Sequence, residues 1–187
     1  MKRLFVKLFS SFVAAAMMLC GFTSAAQAAN SDTLVVYFSA TGNTKALAAT
    51  AAVALGADKF EIIPAKPYAR EDLNHRDENC RANVEQKDTA LRPEIKDMNV
   101  DLTPYKTIVL AYPIWWQEEP RIIDTFVESF DFSGKTVVPL CTSGGNDIQK
   151  SVENIKKLIK GNPTVKDGKR LMNNITAEDF KTWYDSI

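Results

Sequence analysis

Three apolar runs constrain this chain more than any other feature. They are Leu34-Val35-Val36-Tyr37-Phe38, Thr107-Ile108-Val109-Leu110-Ala111-Tyr112, and the stretch from Lys135 to Leu140. None alternates apolar with polar residues, as a strand with one wet face would. Each is followed by a segment with apolar residues at helical spacing. The first such segment carries Leu47, Ala51, Ala54 and Leu55. The second, opening at Pro120, carries Ile122, Ile123, Phe126, Val127 and Phe130. The third, after Asp147, carries Ile148, Val152, Ile155, Leu158 and Ile159. Strands buried on both faces and alternating with helices predict an α/β fold, a doubly wound parallel sheet with helices on both faces.

The remaining elements are less strongly written. Phe60-Glu61-Ile62-Ile63 reads as a short second strand stopped by Pro64, and Val165 to Met172 as a weakly signalled fifth. Thr176 to Asp179 resembles a capping box with Asp in place of Glu. It opens a last helix that buries Phe180, Trp183, Tyr184 and Ile187. Residues 64–103 form a long polar connection in which Glu71 to Lys87 could be helical. Connections of that length inside one domain are usually structured or functional. His75, the only histidine, falls in this polar stretch and is expected to face solvent.

The N-terminus reads as an export signal and not as part of the fold. Lys2, Arg3 and Lys7 precede an apolar stretch from Leu8 to Phe22, and Ala26-Gln27-Ala28 supplies a small-residue cleavage pattern. Cleavage there makes 1–28 a removed signal peptide and 29–187 a single domain, exported to a periplasm or secreted. Lipid attachment at Cys20 is disfavoured by bulky Leu19. The apolar stretch falls short of the ~20 residues a spanning helix needs, so no stable membrane span is expected.

The whole chain has 23 basic and 23 acidic residues, so loss of three basic ones leaves a slight acidic excess. That balance argues against nucleic-acid binding. Export permits a disulfide between Cys80 and Cys141, though two free thiols are the simpler reading. No histidine–cysteine cluster has metal-ligand spacing.

Function concentrates in three loops that leave strands at their carboxyl ends, where open α/β sheets bind ligands. Ser39-Ala40-Thr41-Gly42-Asn43-Thr44 is rich in hydroxyls and opens a helix, whose unpaired N–H groups suit a phosphate. It lacks the Gly-Lys-Ser/Thr ending of a Walker loop and the G-x-G-x-x-G of dinucleotide folds. Pro113-Ile114-Trp115-Trp116 offers a flat apolar surface for an aromatic ring. One tryptophan should pack inward and the other face the ligand, and the sequence leaves open which does which. Thr142-Ser143-Gly144-Gly145 lets backbone donors approach heteroatoms closely. A phosphorylated, planar, heteroatom-bearing ring fits all three, and flavin mononucleotide (FMN) is the natural candidate.

These motifs resemble those of the flavodoxin-like proteins. Tyr37 to Thr44 is similar to their phosphate loop. Tyr112-Pro113-Ile114-Trp115-Trp116 with Pro120 is similar to the loop of a bacterial short-chain subfamily, and Thr142 to Gly145 to its third flavin loop. The resemblance spans Thr33 to the final helix. It implies a five-stranded sheet in the order 2-1-3-4-5 and noncovalent FMN. Ser39 to Thr44 would then hold the phosphate, Pro113 to Trp116 one side of the ring, and Thr142 to Gly145 its polar edge. The short span from Gly161 to Thr176 leaves no room for the long-chain insertion. Three departures stand out: Gln117 where the subfamily often has glycine, a weak net charge, and export. A residue with a Cβ at that glycine position hinders the peptide flip that flavodoxins use beside flavin N5.

The leading expectation is therefore an FMN-binding redox protein outside the cytoplasm. It would exchange electrons with a partner protein or reduce a small-molecule acceptor. No residue is singled out as a catalytic acid or base. The alternative from another class is a non-redox binding or interaction module, with 64–103 as its partner surface. A phosphate-binding hydrolase ranks last, because no nucleophile, general base or metal cluster accompanies the first loop.

Overall fold

A computed structural model describes residues 31–187; the expected signal peptide lies outside them. The strands are β1 (Thr33–Tyr37), β2 (Asp58–Glu61), β3 (Thr107–Pro113), β4 (Thr136–Thr142), β5 (Thr164–Val165) and β6 (Lys169–Arg170). The helices are α1 (Asn43–Leu55), α2 (Arg81–Lys87), α3 (Arg121–Ser129), α4 (Gln149–Leu158) and α5 (Ala177–Tyr184). All strand pairings in this sheet are parallel, in the order β2-β1-β3-β4-β5, with β6 also on β4.

Side-chain alternation explains the unbroken apolar runs. Val36, Phe38, Ile108, Leu110, Tyr112 and Val137 face one layer with Ile122, Ile123, Phe126, Val152 and Ile155 of α3 and α4. Val35, Tyr37, Val109, Ala111, Val138 and Leu140 face the other with Leu47, Ala48 and Ala51 of α1 and Phe180 of α5. Each strand is thus apolar on both sides because both sides are covered. Thr176 caps α5 as its sequence indicates, its Oγ1 accepting from Asp179 N at 3.1 Å.

Several elements differ from their sequence reading. The second strand begins at Asp58, two residues before Phe60, and pairs Leu34–Tyr37 in register. The fifth strand is two short pieces. Lys166 N donates to Val137 O at 2.9 Å and Leu171 N to Cys141 O at 2.9 Å, so odd-numbered residues of β4 face this edge. The residue between those two is Pro139, which has no N–H to donate. The chain detours there through Gly168, which has φ +69° and lies so near that an added Cβ would sit 2.5 Å from Pro139 O. Ile187, expected to be buried by the last helix, lies beyond the end of α5 and is 45% exposed.

The 64–103 connection is ordered but largely non-helical. Only a 3₁₀ turn at Glu71–Leu73 and the short α2 form, where the sequence suggested one helix across 71–87. Pro64 bridges Ile95 in antiparallel fashion, with Ala65 N to Glu94 O and Lys96 N to Ile63 O both at 2.8 Å. The excursion is thereby clipped shut at its base beside β2. Arg92 grips Glu128 of α3 with two parallel hydrogen bonds of 2.7 Å.

Candidate functional site

The three predicted loops converge at the carboxyl edge of the sheet. Ile114 N donates to Thr142 O at 3.0 Å, which carries the β3–β4 ladder into the tryptophan loop. The Thr44 and Thr142 hydroxyls meet at 2.8 Å and so join the first loop to the third. Between the loops lies a cleft of about 540 Å³ lined by Ala40, Thr41, Thr44, Pro113, Ile114, Trp115, Trp116, Ser143, Gly144 and Gly145. An adjoining recess of about 320 Å³, on the β6 side, adds Asn43 and Thr142. Ser39 and Gly42 line neither; their task is to shape the loop. Gly42 N donates to Ser39 Oγ at 3.1 Å. Gly42 takes φ +90°, a conformation that favours a residue without a Cβ.

The start of α1 has no side-chain cap, so its first N–H groups are left for another acceptor. Thr41 and Asn43 are exposed beside them, and Thr44 is buried beneath. Cβ atoms built on Gly144 and Gly145 meet nothing within 4 Å. Their smallness is not demanded by the protein's own packing, and the room above them belongs to the cleft. The arrangement can hold an anion at α1 and a flat group between Trp116 and the glycines. Those are the two chemical parts of a flavin mononucleotide, and the residues present fit it.

The tryptophans divide their work. Trp115 packs edge-on against Phe38 and Tyr68, with ring centroids 5.9 and 5.4 Å away. Trp116 is 59% exposed on the cleft and donates its indole N–H to Asn83 Oδ1 at 2.6 Å. The loop itself is a two-residue hairpin: Trp115 N donates to Glu118 O at 2.9 Å and Glu118 N to Trp115 O at 3.1 Å. Both central residues have positive φ, 52° at Trp116 and 78° at Gln117. That is the geometry of a type I′ turn, which normally selects Asn and Gly.

The sequence reading missed one wall of the cleft. Leu73, His75, Ala82 and Asn83 come from the 64–103 excursion. Asn83 is buried, and its Nδ2 donates to His75 O at 3.1 Å and Asp77 O at 2.7 Å. One side chain thus fastens the excursion to itself and to Trp116. No local pattern announces such a contact, because its partners are far apart in the chain. His75 is exposed, as expected, yet sits at the cleft mouth.

Tyr112 and Cys141, behind the loops, are structural. Burial pushes the Tyr112 phenol well above its ordinary range, while its oxygen accepts from Ser151 Oγ at 2.9 Å. Burial pushes the Cys141 thiol up to about 12, so it is no nucleophile. Cys141 and Cys80 are both free and buried. Among the described residues no group of side chains could hold a metal ion, and no helix is long and apolar enough to cross a membrane.

Residues 32–187 match the family described as Flavodoxin. The chain belongs to the flavodoxin family. Two solved structures of candidate flavoproteins are similar to it, each at 40% identity. The one from Bacteroides eggerthii covers 84% of this chain and 98% of its own, with a TM-score of 0.79. The one from Bacteroides uniformis covers 83% and 98%, with a TM-score of 0.75. A flavoprotein from Lactobacillus acidophilus, solved in complex with FMN, shares the fold at 20% identity and a TM-score of 0.56, covering 71% of this chain and 88% of its own. No curated protein matches the chain. Within this flavodoxin, the five-stranded order 2-1-3-4-5 is the observed one, with its last strand split.

Proposed function

We propose that the protein binds FMN noncovalently in this cleft and works as a redox protein outside the cytoplasm. Ser39 to Thr44 would hold the phosphate, with the α1 N–H groups and the Thr41 and Thr44 hydroxyls as donors. Trp116 would lie against the ring and Thr142 to Gly145 would serve its polar edge. The observation that carries the reading is the convergence of three pieces on one cleft: an uncapped helix start, an exposed indole, and two glycines facing open space. The Lactobacillus relative, solved with FMN, supports the choice of ligand. The basic, apolar and small-residue segments of 1–28 support export.

When bound, the flavin supplies electron transfer, to a partner protein or to a small acceptor. The chain's own residues bind, orient and shield. The apolar wall of Ile114, Trp115 and Trp116 would shield one side of a bound ring from water. Gly145 N donates to Ser143 Oγ at 3.1 Å and so shapes the turn, and the remaining donors of Thr142 to Gly144 would orient polar ring atoms.

Titration of residues 29–187 with FMN, read by flavin absorption and emission, tests the binding. Quenched emission with a dissociation constant in the micromolar range or below is expected. Unchanged flavin spectra in the presence of folded protein would overturn the reading. Reductive titration of the complex and fractionation of cells expressing the full chain test the redox role and the export.

A further inference from the structure

Behind the Trp115–Glu118 hairpin lies a charged cluster that the cleft does not use directly. Glu119 and Asp124 are each 0% exposed, and Arg121 is 3% exposed. One oxygen of each carboxyl is accounted for. Asn154 Nδ2 donates to Glu119 Oε1. Arg121 Nη1 lies 3.2 Å from Asp124 Oδ2, and Arg92 Nη1 3.8 Å from the same atom. The other two oxygens, Glu119 Oε2 and Asp124 Oδ1, find no donor among the described residues. The two carboxyls are near enough to act on one another, and a proton held between them is the donor that such a pair can supply to its own unpartnered oxygens.

We propose that Glu119 and Asp124 share one proton, and that this proton positions the tryptophan wall of the cleft so that its loss weakens ligand binding there.

The charges around the pair favour holding the proton. Arg121 is the nearer of the two guanidinium groups at Asp124, and it is divided: its Nη2 also lies 2.6 Å from Glu118 Oε2. Arg92 is held chiefly by Glu128, and Lys150 by Glu118 at 2.9 Å. Two ionised carboxylates would thus share a fraction of one guanidinium in a dry site. Burial first, and then the Glu119 charge, push the Asp124 carboxyl up to about 8, against the pull of Arg121. The other titratable neighbours stay fixed over mildly alkaline pH. Tyr112 and Cys141 are pushed upward by burial, and Glu118 is held down by Lys150 and Arg121 despite its own burial.

The pair is wired to the cleft through α2. The Glu119 carbonyl accepts from Gln86 Nε2 at 3.0 Å, and Arg121 Nη2 donates to Gln86 O at 3.1 Å. Asn83, one turn earlier on the same helix, holds the Trp116 indole. A second negative charge in the pair repels its neighbour and draws Arg121 away from Glu118 and Gln86. Either movement shifts the hairpin against α2, and with it the face that Trp116 presents.

The ligand half of this proposal rests on the cleft holding FMN; the proton half does not. The test therefore has two readouts over pH 6–9.5, on wild type, Asp124→Asn and Glu119→Gln. Each amide donates one hydrogen bond as the shared proton does, but cannot ionise. In flavin-free protein, tryptophan emission of the wild type should titrate in the alkaline range, and that of the variants should not. With FMN present, the wild-type dissociation constant should climb above the titration point by up to about tenfold per pH unit, the limit for one linked proton. The variants should stay within about twofold of their neutral-pH value across the range, a difference too small to signal a linked proton. His75 is unchanged in all three proteins, so any slope they share is not the pair's. Equal slopes in wild type and both variants, or no slope in any, overturn the proposal. If FMN does not bind at all, the flavin reading fails and the emission titration still decides the proton. Should one variant not fold, the other carries the comparison.

Discussion

Trp116 and Gln117 sit in backbone conformations that bulky L-residues rarely adopt. Such strain persists only where surroundings over-determine it, and it concentrates at functional sites. Here the turn is pinned by the Trp115–Glu118 pair, by Asn83 on the indole, and by Lys150 and Arg121 on Glu118. Gln117 makes no side-chain hydrogen bond among the described residues, so replacing it with glycine removes strain without removing a contact. Gln117→Gly should raise stability to urea by up to about 1 kcal/mol, reduced by the greater freedom of glycine in the unfolded chain. A loss of stability would mean that the positive φ is not a burden there. The neighbouring tryptophans should respond in opposite ways. Trp115→Ala empties a packed site against Phe38 and Tyr68 and should cost about 3 kcal/mol of stability, read by urea unfolding. Trp116→Ala, at an exposed position, should cost little stability but at least about tenfold in FMN affinity, in line with loss of one aromatic contact. The sequence showed that the pair was special and could not assign the roles. Those depend on the left-handed turn between them, which neither residue type advertises.

At the level of elements, β1, β3, β4 and their helices were legible because each carries its own signal: an apolar run, then a helical period. The last strand was not. Its fate is decided by Pro139, a residue of its neighbour, through the absence of one donor. Gly168 marks the same break from the other side, with φ +69° and with an added Cβ meeting Pro139 O at 2.5 Å. Gly168→Ala should therefore destabilise by about 3 kcal/mol, combining the left-handed penalty with overpacking against backbone. Thermal unfolding checks it, with Gly144→Ala as the contrast, since that Cβ meets open space and should cost under about 1 kcal/mol. The 64–103 excursion was the other illegible element. Its order comes from a clip at Pro64–Ile95 and from polar anchors at Asn83, Gln86 and Arg92, all reaching residues far away in the chain. Hydrophobic periodicity cannot report contacts of that kind, which is why the excursion read as a poor helix and not as a wall of the cleft.

For the whole molecule, the buried charges predict how stability depends on pH. The Asp124 carboxyl titrates higher in the folded state than in the unfolded chain, so the native protein binds the extra proton. Stability must then fall as pH rises, from the ordinary carboxylate range to about 8, and level off above it. Glu118 and Glu128 act in the other direction. Burial of Glu118 is outweighed by Lys150 and Arg121, and the hydrogen bonds from Arg92 hold Glu128 low. Their folded-state titrations lie below the unfolded ones, so their contribution is present above the ordinary carboxylate range and is lost as pH drops through the folded values. The two effects together place the maximum of the stability curve on the acid side of neutrality. Urea midpoints measured from pH 3 to pH 9 should trace that asymmetric curve. In Asp124→Asn the alkaline decline should flatten while the acid limb stays, because the amide removes only the proton that the native state holds in excess. An alkaline decline that survives the substitution unchanged would assign it to other groups and leave Glu119 and Asp124 as ordinary buried carboxyls. A flattened one would show that this flavodoxin carries, behind its cleft, a proton on which its fold depends.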